Sequence, residues 1–230
     1  MNEPTVMQSP SSSVGDYVKA IWEVAGIGAA STSDVADQLS IAPASVTNMF
    51  GRLREMGLVE YERYRGASLT EAGRVEALRL VRRHRLIETF LVGHLGYSWE
   101  EVHEEAEHLE HVVSDGFTER LAGFLGHPVR DPHGDPIPTE AGTLPPEDSF
   151  PLSGSTAGAR IEIARVKHED TLVLAYLGER GLMPGRRLVV REVRAVDGVV
   201  TVQDEKGTPY SLGSPLADAI LVRRLSKDDS

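Results

Sequence analysis

The chain has 230 residues, a formal net charge of −11 and no cysteine. The lack of cysteine excludes disulfides, thiolate metal sites and thiol nucleophiles, and leaves imidazole and carboxylate as the metal-binding groups. No run approaches the roughly 18 apolar residues of a membrane span, and the opening MNEPTVMQSPSSSVG lacks the basic-then-apolar order of a signal peptide, so a cytoplasmic protein with no membrane partner is expected. The charge is unevenly spread. Residues 84–127 carry two Arg against nine Asp or Glu, whereas residues 31–83 carry eight Arg against seven acids. The acidic average therefore does not exclude a nucleic-acid partner for the N-terminal part.

In chain order, Asp16 to Ala25 predicts an amphipathic helix, with Tyr17, Val18, Ile21 and Trp22 at helical spacing. GIGAA breaks it. Ser33 is the expected N-cap of a short helix through Leu39, SIAP makes a turn, and Ala44 to Glu55 predicts a third helix. LVEYERYRGASLT predicts two short strands around a charged turn at Arg63 to Gly66, after which Thr70 caps a long helix towards Leu95. Helix, short helix, turn, helix and β-ribbon is the order of a winged helix-turn-helix. In such a module the third helix shows short polar side chains to base edges, while the wing shows arginines to phosphates. Ser45, Thr47, Asn48, Arg52 and Arg54 suit or flank the first role, and Arg63 and Arg65 the second.

Two further helices are expected, starting near Ser98 and Ser114, with an apolar surplus at Leu86, Phe90, Phe117, Leu121, Phe124 and Leu125 that homodimerisation would bury. Residues 128–152, rich in proline and without periodicity, predict a linker or an extended wrapping segment. From Ala159, alternation in RIEIARV, RLVVREV, GVVTVQD and ILVRRL predicts a small antiparallel β-barrel. The fold class is thus mostly α with a C-terminal β domain. The expected domains are 1–78, 79–147 and 158–230, with a linker at 148–157.

The chemistry concentrates in EEVHEEAEHLEH, where His103, Glu107, Glu110 and His111 share an arc of roughly 100° on one helix, and in His84 and Glu88 one turn apart on the preceding helix. For any single His–Glu pair a solvated ion pair is the better reading. Six such positions on two consecutive helices favour a divalent cation. The zincin H-E-x-x-H motif is absent, and the two Glu-x-x-His pairs, Glu100 with His103 and Glu105 with His108, lie on one helix rather than on the two a ferritin-like di-iron site uses.

HRLIETFLVGHLGYSWEEVHEEAEHLEH followed by DPHGDPIP, behind a winged helix, resembles the iron- and manganese-dependent repressors related to the diphtheria toxin repressor, over essentially the whole chain. The resemblance implies an N-terminal DNA-binding domain, a helical dimerisation domain with two metal sites, and an SH3-like barrel. Its primary site would comprise Asp16, Glu107, Glu110 and His111, and its ancillary site His84, Glu88 and His103, with Glu169 or Asp170 added from the barrel. Asp16 and Glu107 stand where iron-responsive members place Met and Cys, which is the manganese-responsive pattern. Lys19 stands where one short manganese-responsive pattern has a further carboxylate, which argues against a closely spaced two-metal cluster. Carboxylate-rich sites suit Mn2+, with Fe2+ as the other physiological choice and Zn2+, Co2+ or Cd2+ as substitutes in vitro. The expectation is a metal-dependent repressor of metal-uptake genes, not an enzyme, that binds a palindromic double-stranded DNA operator as a homodimer. The alternatives are a ligand-sensing winged-helix repressor without metal control and a carboxylate-bridged metalloenzyme.

Overall fold

A computed structural model describes residues 12–167 and 170–226. They fall into two compact units, Met1–His84 with Pro138–Thr143, and Arg85–Ile137 with Leu144–Ser230.

The first unit contains helices α1 (Ser12–Ala25), α2 (Thr32–Gln38) and α3 (Pro43–Glu55), strands β1 (Ala29–Ala30), β2 (Val59–Glu62) and β3 (Gly66–Leu69), and the start of helix α4 (Glu71–Leu95). The strands form an antiparallel sheet of order β1-β3-β2, with Tyr61 opposite Ala67. Val18, Ile21, Val35, Val46, Phe50 and Leu53 are buried in a common core under this sheet. The apolar periodicity of α3 thus places its polar face outward, whereas on α1 Asp16 is half-buried and Lys19 buried. Two caps fix the helix starts. For α2 the cap is Ser31, whose Oγ accepts from the Asp34 amide at 3.1 Å, and not Ser33, which is the second residue of the helix. Thr70 accepts from the Gly73 amide at 3.1 Å and donates to the Gly57 carbonyl at 2.7 Å, locking the entry of α4 to the end of α3. Gly73 is needed there, because a Cβ would stand 1.9 Å from the Leu58 carbonyl oxygen.

The second unit holds the rest of α4, helices α5 (Val102–Glu110) and α6 (Asp115–Phe124), and a β domain. Ser114 caps α6 by accepting from the Phe117 amide. Helix α5 begins at Val102, later than the Ser98 start read from the sequence, because Ser98 turns its hydroxyl to the Glu101 carboxylate instead of capping a helix. Leu86, Ile87, Leu91, Val102, Ala106 and Leu121 pack together.

The β domain is a six-stranded antiparallel sheet of β4 (Phe150–Pro151), β5 (Arg160–Val166), β6 (Arg187–Arg194), β7 (Val199–Asp204), β8 (Pro209–Leu212) and β9 (Ile220–Arg224), in the order β4-β9-β5-β6-β7-β8. A register shift between Ile163 and Arg165 returns Val166 to the core side after Ile161 and Ile163. The structure adds two helices to the strands expected here, α7 (Thr171–Glu179) and α8 (Ser214–Ala219). TLVLAYL is helical because Asp170 caps it, its Oδ1 accepting from the Leu172 amide at 2.8 Å, and Leu174 and Leu177 then fill the core.

The proline-rich stretch is not a plain linker. Asp131, His133 and Ile137 are buried, and the Asp131 Oδ1 accepts from the amides of His133 (2.8 Å) and Asp135 (2.9 Å), closing a tight loop.

Candidate metal centre and nucleic-acid interface

Helix α3 starts at Pro43, whose fixed φ suits the first helical position. Val46, Phe50 and Leu53 face the core, so Ser45, Thr47, Asn48, Arg52 and Arg54 are all left on the exposed side. Thr47 donates its hydroxyl back to the Pro43 carbonyl at 3.1 Å, which leaves its methyl and an acceptor outward. At the β2–β3 turn Arg63 and Arg65 are exposed. Tyr64 adopts a φ of 70°, with the Arg63 guanidinium 5.1 Å from its ring centre, and Arg65 pairs with Glu62 at 3.1 Å. A polar helix face beside a basic turn is the arrangement that reads a groove and grips its phosphates.

Of the candidate ligands, Asp16 and His84 belong to the first unit. Asp16 is half-buried on α1, and His84 is buried on α4 with its Nδ1 3.3 Å from the Nζ of Lys19. Lys19 is itself buried, so an ammonium group rather than a further carboxylate lies beside that imidazole.

The second unit carries the others. Glu110 is fully buried and Glu88 nearly so. Glu88 Oε1 is 3.4 Å from His103 Nδ1, and His103 Nε2 is 3.7 Å from Glu107 Oε1, so the half-exposed His103 stands between two carboxylates. The Nε2 of His111 lies 3.8 Å from Glu110 Oε1. Asp170 is exposed and employs one carboxylate oxygen in capping α7. Glu169, with His168, lies outside the described residues.

One cluster joins Glu88 to two residues that were not among the expected ligands. Glu88, Asp131 and His133 are all buried and bring ligand atoms within 4.8 Å of one another. The Oε2 of Glu88 is 3.8 Å from His133 Nδ1, while His133 Nε2 is 2.6 Å from the carbonyl oxygen of Trp99. A carbonyl only accepts, so His133 donates through Nε2 and turns Nδ1 to the carboxylates. Arg85 sits at the edge, its Nε 3.6 Å from Asp131 Oδ2.

The electrostatics record a buried excess of negative charge. Burial, then the neighbouring Asp135 and Glu88 carboxylates, push the Asp131 carboxyl up to about 7 against the pull of Arg85 and His133. Burial pulls the His133 imidazole down, but Glu88, Asp131 and the Trp99 carbonyl outweigh it and lift the ring to about 9. Without a metal the cluster therefore gathers protons. Two carboxylates and an imidazole, all hard or borderline donors, fit a divalent cation such as Mn2+ or Fe2+, which would take the place of those protons.

Residues 11–67 match the family described as iron dependent repressor, N-terminal DNA binding domain; residues 70–139 match its metal binding and dimerisation domain; and residues 150–224 match the FeoA domain. The chain is 39% identical over 117 residues to the HTH-type transcriptional regulator MntR of Lysinibacillus sphaericus, covering 50% of this chain and 84% of that protein. It is 28% identical over 222 residues to the iron-dependent repressor IdeR of Mycobacterium tuberculosis, covering 91% of this chain and 96% of that one. Among solved structures, a manganese-dependent transcriptional repressor in complex with manganese superposes with a TM-score of 0.86 at 40% identity, over 92% of this chain and all of that one. With the three domains matched in this order, the chain belongs to the iron-dependent repressor family of metal-dependent, DNA-binding transcriptional regulators.

Proposed function

We propose that this protein is a Mn2+-responsive repressor that, with metal bound, occupies palindromic operators as a homodimer and silences metal-uptake genes in the cytoplasm. The observation that carries the reading is the buried Glu88–Asp131–His133 cluster, whose acidic excess a divalent cation would balance. The exposed Phe117 and Phe124 on α6 supply an apolar face for the second copy. The family is one of transcriptional repressors, which removes the metalloenzyme alternative.

The metal assignments follow the donors. Asp16, Glu107, Glu110 and His111 form the proposed primary site, and His84, Glu88 and His103 the ancillary one, with Asp131 and His133 extending it through Glu88. Mn2+ is preferred to Fe2+ because Asp16 and Glu107 replace the softer sulfur donors of the iron-responsive pattern. When bound, the metal supplies positive charge and a fixed geometry shared by ligands from several elements. Asp16 is the ligand on the helix beneath the DNA-reading module. It thereby favours one separation of the two recognition helices, matched to major grooves about one helical turn or a multiple apart.

The test is recovery of genomic DNA fragments by the full chain at fixed salt with Mn2+, Fe2+, Zn2+ or chelator. Mn2+-dependent enrichment of a few palindromic sites is expected. Equal enrichment in chelator would instead identify a metal-independent repressor.

A further inference from the structure

We propose that Trp99 is a positioning residue for the Glu88–Asp131–His133 cluster, coupling the seating of the β domain to the geometry of a metal ligand. Trp99 belongs to the connection between α4 and α5, yet its side chain is buried in the core of the β domain with Leu152, Ile161, Leu177 and Leu212. One face of its indole stacks on the His133 imidazole, with ring centres 5.5 Å apart and planes inclined by 25°. Its carbonyl accepts the His133 Nε2 proton at 2.6 Å, so the same residue sets both the tilt of that ring and which nitrogen faces Glu88. A backbone carbonyl on the far nitrogen of a ligating histidine is a recurrent means of fixing its orientation.

The β domain also holds the backbone around His133. The Val166 amide on β5 donates to the His133 carbonyl at 2.9 Å, Arg165 pairs with Asp135, and Gly134, at a φ of 86°, lies so close to β5 that a Cβ would stand 2.1 Å from the Ala164 carbonyl oxygen. On α7, a Cβ added to Gly178 would lie 2.7 Å from the indole Nε1. That nitrogen is buried and has no hydrogen-bond partner among the described residues. An unpaired buried donor is unfavourable, so packing and stacking alone keep the indole in place, and that packing exists only while the β domain is seated. Seating and ligand geometry thus support each other, and the coupling is reciprocal: whatever fixes His133 also fixes the β domain.

This inference rests on the proposed metal site, and the experiment separates the two. Mn2+ binding to the full chain is measured for wild type, Asp131→Asn, Trp99→Ala, Trp99→Phe and Gly178→Ala, together with hydrogen exchange of β5 and α7 amides with and without Mn2+. Asp131→Asn should lose binding at this cluster. Trp99→Ala should weaken it by about ten- to hundredfold. Gly178→Ala, which crowds the indole without touching a ligand, should weaken it in the same direction, and Trp99→Phe, which keeps ring stacking and the apolar seat, should stay within about threefold. Mn2+ should slow exchange in β5 and α7 of wild type and not of Asp131→Asn. If Asp131→Asn binds Mn2+ as wild type does, the metal assignment fails and the coupling with it. If Asp131→Asn loses the site while Trp99→Ala loosens the β domain with unchanged Mn2+ affinity, the coupling alone is overturned. Should Trp99→Ala fail to fold, Gly178→Ala and the exchange measurement decide.

Discussion

Metal binding at Glu88–Asp131–His133 should expel protons in a number that the structure sets. At about pH 7.5 the Asp131 carboxyl, raised to about 7, is partly protonated, and the His133 imidazole, raised to about 9, is almost fully so. A cation that ligates both therefore displaces about one proton per chain, most of it from His133. The perturbation is addition of Mn2+ to metal-free protein, and the assay is calorimetry in buffers of differing ionisation enthalpy, where the slope of observed heat against that enthalpy gives protons released. The Asp131→Asn/His133→Gln double variant supplies the baseline from all other ligands. Wild type should exceed it by about one proton per chain, and apparent affinity should rise about tenfold per pH unit between the two titrations. A difference below about 0.3 proton, with both proteins folded, would refute the view that this cluster exchanges protons for metal.

Four other outcomes are expected. In chelator, the protein should lose on the order of 4 kcal/mol of stability between about pH 6 and 9, followed by thermal unfolding. Both groups bind their protons more tightly when folded, so the Asp131 contribution is lost as pH rises through about 7 and that of His133 as it rises through about 9; stability that is flat or rising over this range would contradict it. Asp16→Ala should abolish the metal dependence of operator binding while leaving the fold intact, read by DNA binding with and without Mn2+; unchanged dependence would remove Asp16 from the primary site. Arg63→Ala should weaken binding to all sequences and reduce the salt slope by about one, whereas Asn48→Ala should lose about 1–3 kcal/mol of discrimination at particular bases, both measurable by salt-dependent titration. Thr70→Ala removes a cap and its link to Gly57 and should cost about 1–2 kcal/mol in denaturant unfolding, while Gly73→Ala, which drives a Cβ into the Leu58 carbonyl, should cost about 3 kcal/mol.

Features governed by helical periodicity could be read directly from the sequence. The spacing of His84 and Glu88, and of His103 and Glu107, places each pair on one helix face whatever the surrounding fold, and Val46, Phe50 and Leu53 decide which side of α3 remains exposed. Asp131 and His133 carried no such signal. They lie in an aperiodic, proline-rich stretch, and they become buried only because Arg85 on one side and β5 on the other clamp the loop, contacts made across long sequence separations. The one local hint was Asp-Pro-His-Gly-Asp itself, acids and an imidazole in a turn that Asp131 can close on its own backbone. Helix α7 was hidden for a different reason: a nearly unbroken apolar run has the same appearance in a buried strand as in a buried helix, and the Asp170 cap distinguishes them only once its hydrogen bond is seen. Among STS, three adjacent residues offer cap hydroxyls, and only backbone geometry selects Ser31.

Helix α4 runs unbroken for 25 residues and carries Arg82, His84, Arg85 and Glu88 within its span. That continuity makes it a ruler. Each residue inserted between His84 and Glu88 would turn one against the other by about 100° and shift it by about 1.5 Å, taking them from about 40° apart to about 140° and so off a common face. Substitutions along the exposed side of α4 can accumulate, but its length at this point cannot drift. Residues 144–149, outside any helix or strand, obey the opposite rule, since doubling such a connection costs only about 0.6 kcal/mol in closure entropy. Length variation among natural relatives should therefore collect before β4 and avoid the middle of α4, even where sequence identity is lowest.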